Sequence, residues 1–454
     1  KMVFHMEFLG ILLSLILLIF LVYRSVSILI VAPLMAMLAV AFCNDMPIIT
    51  AWTGPLMSAT AKFIQDYFPV FLVGAIFGLL MNSSGAAKTI ALWISKFLGA
   101  KDACTAIIIA SFLLVYGGVS VFVVVFAVLP IAENIFEKNK LPRHLIPASI
   151  LAGAMPAYGA PGAAQFINTI PIPFFETTIY SGFLSGIFAT IFWIFISIFY
   201  MRREVKKTLS IEQENESNAS KSQENLFNTK LPGTWASLFP IILVIIFNII
   251  FTGYFSNSSV IEYFASYGGV QGIWPITISI SLTIVIMMIF LRNYLLHPLK
   301  DISKGAADSL LPIFNTAIQV GYGGVIKKLS AFASIKIILL SMVIPKLLLI
   351  AVISAIIAGM VGSASGGTGI VMQVFSDEFL DIAKAYNISN DNMHRIIIFG
   401  ANSLGTLPHS GLVITLLGIC KLTHRESYKQ IFVVSVFFSF LATLILFLFL
   451  LIGL

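Results

Sequence analysis

The stretch Met155–Pro171 reads MPAYGAPGAAQFINTIP, and a second, Asn402–Gly411, reads NSLGTLPHSG. Both interrupt strongly apolar sequence. Pro156, Pro161 and Pro408 each remove a backbone donor and block the helical carbonyl four residues back. The glycines beside them let the chain turn. Each stretch therefore predicts a helix end facing a helix start. Irregular backbone at membrane depth is tolerated only where protein buries it or where it lines a wet cavity. Broken helices at matching positions of two halves point to the binding site of a transporter.

Working outward from the breaks, the same landmarks precede each. Before the first lie Gly117-Gly118-Val119-Ser120 and then Arg143-His144. Before the second lie Gly362-Ser363-Ala364-Ser365-Gly366-Gly367 and then His394-Arg395. The separation of Gly118 from Gly153 matches that of Gly366 from Gly400 to within one residue. Further upstream, VGAIFGLLMNSSG (Val73–Gly85) aligns loosely with VGYGGVIKKLS (Val320–Ser330), which pairs Gly74 with Gly321. The order predicts one structural repeat in each half.

The surroundings are those of a polytopic, all-α membrane protein. The chain has 454 residues, 59% hydrophobic and 10% charged, with a mean hydropathy of +0.99. A soluble domain carries roughly 45–50% apolar and about 25% charged residues. Apolar runs recur at Phe8–Val22, Val26–Phe42, Ser181–Phe199, Trp235–Phe251, Trp274–Leu291, Ile335–Ala358 and Ile431–Ile452. Most are long enough for a hydrocarbon core of about 30 Å. None shows the alternation of a membrane β-strand. Phe8–Val22 is followed by Tyr23-Arg24-Ser25 and another span, without a convincing cleavage site, and reads as a helix of the mature chain.

Residues 1–200 form the first membrane half, 201–232 a polar linker and 233–454 the second half. The linker has almost no aromatic residues and too little apolar surface to fold alone. It opens with Arg202, Arg203, Lys206 and Lys207, which places it in the cytoplasm. Gly253–Gly272, with one charge, suits the outer side, and the basic Arg292–Lys304 the inner side. The net charge of +7 follows this positive-inside pattern and calls for no nucleic acid. Cys43, Cys104 and Cys420 lie far apart, so neither a disulfide framework nor a metal cluster is indicated.

The breaks supply the candidate site residues. The first offers Gln165, Asn168 and Thr169, and the second Thr406, His409 and Ser410. The Gly/Ser patches add Gly118 and Ser120 in one half, and Ser363 and Ser365 in the other. A helix N-terminus presents free N–H groups and positive partial charge, which suit a carboxylate. Small residues also pack membrane helices closely, and that reading competes for the Gly/Ser patches. His409 is the candidate for proton coupling. An intramembrane ionisable residue is functional by default, and histidine titrates near neutral pH. Arg143, His144, His394, Arg395, His424, Arg425 and Lys429 read mostly as topology markers in short links. There is no Gly-rich phosphate loop ending in Lys-Ser/Thr, no HExxH, no CxxC and no GxSxG. The chain reads as no enzyme, needs no cofactor, and any active transport would draw on an ion gradient.

Four stretches resemble the gluconate permease (GntP) family. They are YGGVSVFVVVFAV (Tyr116–Val128), QFINTIP (Gln165–Pro171), TLPHSGLVITLL (Thr406–Leu417) and LTHRESYK (Leu422–Lys429). The likeness covers most of the chain outside the linker, and its last two blocks look most like the hydroxybutyrate or short hydroxyacid branch. The resemblance implies proton-coupled import of a small organic acid anion, such as hydroxybutyrate or a gluconate-type sugar acid, across a bacterial inner membrane. It also implies inverted repeats with re-entrant hairpins, a scaffold and a mobile transport domain, elevator-like motion and a homodimer among membrane lipids. Gly117, Gly118, Val119 and Ser120 match the first family motif. Asn168 matches the polar residue of the first break, and Thr406, Pro408, His409 and Ser410 the second. Tyr158–Ala164 departs from the pattern, being smaller and more apolar. Each substrate hydroxyl left unpaired there is penalised, so a less hydroxylated acid is favoured. Serine, threonine and unwound carbonyls also suit Na⁺, so sodium coupling stays open beside proton coupling.

Overall fold

The computed structural model describes residues 2–24, 26–98, 102–212, 231–255, 257–265, 273–333, 337 and 341–452. Every regular element among them is helical. The first half comprises α1 (Met2–Tyr23), α2 (Ile28–Cys43), α3 (Ile48–Ser83), α4 (Ala86–Leu98), α5 (Ala103–Tyr116), α6 (Val121–Lys138), α7 (Ile146–Gly159) and α8 (Phe183–Glu212). The second comprises α9 (Thr234–Phe255), α10 (Ser258–Ala265), α11 (Trp274–Phe290), α12 (Pro298–Ile326), α13 (Lys346–Val361), α14 (Ala364–Tyr386), α15 (Asn390–Leu404), α16 (Gly411–Cys420) and α17 (His424–Leu451).

Helices α3, α8, α9 and α17 are long and apolar enough to cross a membrane, and the other apolar helices among the described residues are shorter. Along α8, Ile191, Phe195 and Phe199 recur every fourth residue and stay exposed, Phe195 by 70%. An outward apolar stripe of this kind suits lipid tails rather than water.

The helix boundaries refine three sequence readings. The run Ile335–Ala358 is not one helix. Pro345 forces the residue before it towards extended backbone, and α13 begins only at Lys346. Met201–Glu212, read as the start of the polar linker, continues α8 as helix. Residues 213–230, the body of that linker, lie outside the described residues. The segment read as an outer loop is partly helical, since α9 runs to Phe255 and α10 follows it.

Matched helices in the two halves make matched contacts. Helix α5 packs on α7 as α13 packs on α15, and α8 runs against α17. At the α5–α7 crossing, a Cβ on Gly153 would lie 2.0 Å from the Ile108 carbonyl oxygen. At the α13–α15 crossing, a Cβ on Gly400 would lie 2.5 Å from the Ala351 carbonyl oxygen. Both glycines let backbone meet backbone. The upstream pair differs. Gly321 sits hard against Leu56 and Thr60 of α3, whereas Gly74 has open space. Gly305, Gly321 and Gly324 instead form a seam along which α12 lies on α3.

Candidate anion site at two helix breaks

In each half an early break carries a glycine in left-handed backbone. Gly118 ends α5 with φ +98°, and Gly362 ends α13 with φ +67°. The repeat thus pairs Gly118 with Gly362 in conformation; Gly366 lies inside α14. Each late break then seats on the early break of its own half. A Cβ on Gly118 would lie 3.2 Å from Ala164, and one on Gly362 would lie 2.7 Å from His409 Cδ2 and 3.3 Å from Ser410 Cα.

The first late break is held by its own polar side chains. Gln165 is buried and donates from Nε2 to the Val115 and Val119 carbonyls, closing the open end of α5. The Ala164 amide donates to the Tyr116 carbonyl at 3.0 Å. Asn168 donates from Nδ2 to the carbonyls of Ala160 at 3.0 Å and Ala163 at 3.2 Å. Thr169 donates to the Phe166 carbonyl at 2.6 Å, within a short 3-10 turn, Phe166–Thr169.

Arg395 was the residue that sequence reasoning missed. Read as a topology marker in a link, it is fully buried on α15 and reaches across to the first break. Its guanidinium donates to Ser181 O at 2.8 Å, Gly159 O at 2.7 Å, Asn168 Oδ1 at 2.9 Å and Ile179 O at 2.9 Å. Those acceptors run from the last residue of α7 to the segment that follows it. His394 beside it is also buried and pairs through Nδ1 with the Thr177 hydroxyl at 2.7 Å. Arg143, its counterpart by order, stays partly exposed and pairs with Glu133.

The second late break is held from both sides. His409 is 8% exposed, and its Nε2 lies 2.9 Å from the Gly359 carbonyl. A carbonyl only accepts, so Nε2 carries the hydrogen and the neutral ring keeps its lone pair on Nδ1. On the other side stands α17. Its first turn is a capping box, with Thr423 and Glu426 satisfying each other. That start presents His424 to the Pro408 carbonyl at 2.9 Å and Tyr428 to the Thr406 carbonyl at 3.2 Å. Thr406 donates to Ser435 at 2.8 Å, inside a π-helical stretch of α17 (Phe432–Phe437). Ser427 ties the same turn to the His144 carbonyl at 2.6 Å. His424 is therefore part of the break's support, where the sequence suggested a topology marker.

The remaining candidates lie at helix starts. Ser120 precedes α6 and is half-buried, without capping that helix through its side chain. Ser410 precedes α16 and is buried. Ser363 caps α14 by accepting from the Gly366 amide at 3.1 Å, with Ser365 Oγ 3.3 Å away. Ser363, Ser365, His409 and Ser410 thus gather around Gly362. Gly118, Ser120 and Gln165 gather around the end of α5, while Asn168 turns to Ala160, Ala163 and Arg395.

Each break also contacts a helix of the other half. The first break touches α14, the helix that starts at Ser363, and α16 of the second touches α6, the helix that starts at Ser120. A cleft of about 390 Å³ opens beside the first break, lined by Lys62, Asp66 and Tyr67 of α3, Ile170 of the break, Pro173 just after it, and Gly369 of α14. Lys62 and Asp66 pair within it at 2.7 Å, and Tyr67 donates to Ile170 O at 2.7 Å.

The model of one known family, the GntP family permease, matches residues 6–452. The chain belongs to the GntP family of permeases. It is a multi-pass transporter of the bacterial plasma membrane and not an enzyme. The permease is 34% identical over 452 residues to the uncharacterized transporter YxjC of Bacillus subtilis (strain 168), covering 95% of this chain and 96% of that protein. In fold it is similar to the Alcanivorax borkumensis YdaH transporter, whose crystal structure is described as having an unusual topology. The TM-score is 0.52 at 15% identity, with 86% of each chain covered. That likeness concerns architecture alone.

Proposed function

We propose that this permease is a secondary active symporter that imports a short hydroxyacid anion together with protons. The observation that carries the reading is the reciprocal packing of the two breaks, each seated on its own Gly patch and in contact with a helix of the other half. Helix N-termini at Ser120, Ser363 and Ser410 offer amides to a carboxylate. The substrate sits between them, with Asn168 and Gln165 shaping the first break and Thr406 the second. An elevator-like movement carries the paired repeats against the α3–α12 scaffold. Support for that movement lies in the α12–α14 contact, where Gly323 meets Ile370 and Val320 meets Gly369. The two halves act as inverted repeats about this site.

His409 takes the coupling proton on Nδ1, since Nε2 is already committed to Gly359. Substituting His409→Ala should abolish gradient-driven uptake while counterflow exchange remains measurable. Uptake by the variant with its full pH dependence intact would sink the assignment.

Proteoliposomes carrying the protein, with pH and Na⁺ gradients imposed separately, test the whole reading. Accumulation of 3-hydroxybutyrate under an inward proton gradient alone is expected. Accumulation under a Na⁺ gradient alone would replace protons with sodium, and none under either would remove the symport reading.

A further inference from the structure

Gln319 of α12 belongs to neither break, yet its side chain ends at the first turn of α14. The residue is 7% exposed. Its Oε1 is buried without a hydrogen-bond partner. It lies so close over Gly366 that a Cβ there would sit 1.5 Å from it. A buried acceptor left unpaired costs free energy comparable to its lost hydration, so an orphan of this kind calls for a donor. At the same helix start, the Gly366 amide is engaged by Ser363. The amides of Ala364 and Ser365 are the ones a carboxylate would meet, within the positive end of a 23-residue helix. Val320 and Gly369, which line the 390 Å³ cleft, follow Gln319 and Gly366 within one helical turn. The cleft volume falls in the range of small-molecule sites.

We propose that Gln319 selects hydroxyacids, accepting the substrate's hydroxyl hydrogen on Oε1 while the carboxylate rests on the start of α14. A carboxylate has no hydrogen to give, so a plain fatty acid leaves Oε1 orphaned. A hydroxyl two or three carbons from the carboxyl carbon supplies the missing donor. One side-chain acceptor matches one hydroxyl, in keeping with the apolar frame of Tyr158–Ala164. The inference rests on the reading that a carboxylate binds at the α14 start and adds to it the reason a hydroxyl is preferred.

The test compares 3-hydroxybutyrate with butyrate on the purified full-length protein, by ligand-dependent thermal shift in choline buffer. The parent should bind 3-hydroxybutyrate more tightly by about tenfold or more, the worth of one buried hydrogen bond. Gln319→Leu and the more adaptable Gln319→Met should bring that ratio to within roughly threefold, by weakening the hydroxyacid and not butyrate. Either variant retaining the parent's ratio, or losing affinity for both acids equally, overturns the role of Gln319. A stabilisation by NaCl over choline chloride that both variants abolish, with the acid ratio unchanged, also overturns it in favour of a cation at Oε1. A parent that responds to neither acid overturns the carboxylate reading itself and this inference with it.

Discussion

Replacing Arg395 by Met should remove most of the folded protein. Four hydrogen bonds tie its guanidinium to Ser181, Gly159, Asn168 and Ile179. Met fills similar space but offers no donor. Each stranded buried acceptor costs about 1–3 kcal/mol. Partial relaxation still leaves a loss on the order of 3–5 kcal/mol, a large part of the roughly 5–15 kcal/mol that holds a typical protein. Arg395→Lys should rescue little. An ammonium cannot reproduce the planar fork that reaches acceptors on several sides at once. The first break, cut loose from α15, would lose the clamp that sets Asn168. Fluorescence-detected size exclusion in detergent and the thermal midpoint measure the effect. A midpoint for the Met variant within about 2 °C of the parent would show that the clamp carries no weight.

Much of the frame could be read from the sequence because it rests on local chemistry. Proline and glycine break helices wherever they stand, so Met155–Pro171 and Asn402–Gly411 announced themselves. So did the likeness of TLPHSG and LTHRESYK to the GntP family, and the repeat order anchored by Gly153 and Gly400. The misses share a different cause. Arg395 follows a polar stretch, Asn387–Asn392, and looks like a charge at a membrane edge. Its acceptors lie more than two hundred residues upstream, and no local pattern encodes them. Gln319 stands inside an otherwise ordinary helix. Only the tertiary contact with Gly366 makes its unpaired oxygen visible. The pairing of Gly118 with Gly366 rested on spacing alone. Backbone conformation pairs Gly118 with Gly362, because the glycine needed at a left-handed helix end is set by φ. The donors of Gln165, Asn168 and Thr169 looked free for substrate when seen in sequence. In the structure they hold the break together, which is why the proposed carboxylate contacts fall to helix-start amides instead.

Gly153→Ala and Gly400→Ala should both destabilise the protein strongly, Gly153→Ala more. The first new methyl would stand 2.0 Å from Ile108 O and 2.9 Å from Phe112 N. The second would stand 2.5 Å from Ala351 O and 2.8 Å from Ala351 Cα. These are backbone atoms of α5 and α13, so no rotamer change relieves the clash. The helices themselves must part, and the late breaks carried by α7 and α15 must move with them. Overpacking of a close contact costs about 1–3 kcal/mol and occasionally more. A backbone obstacle belongs at or above the upper end. Alanine gains about 1 kcal/mol over glycine in helix propensity, which offsets only part of this. Gly74→Ala and Gly253→Ala, where a Cβ meets nothing within 4 Å, isolate that propensity gain. They should leave the thermal midpoint unchanged or raise it. The four midpoints, measured side by side in one detergent, should split into two lowered and two not lowered. A Gly153→Ala variant as stable as Gly74→Ala would mean that α5 and α7 are not in backbone contact. The equivalence of the two helix crossings, on which the repeat rests, would then fail. Loss of stability in both crossing variants, with transport of 3-hydroxybutyrate falling in proportion to the folded fraction, would tie the two late breaks to one pair of supporting crossings.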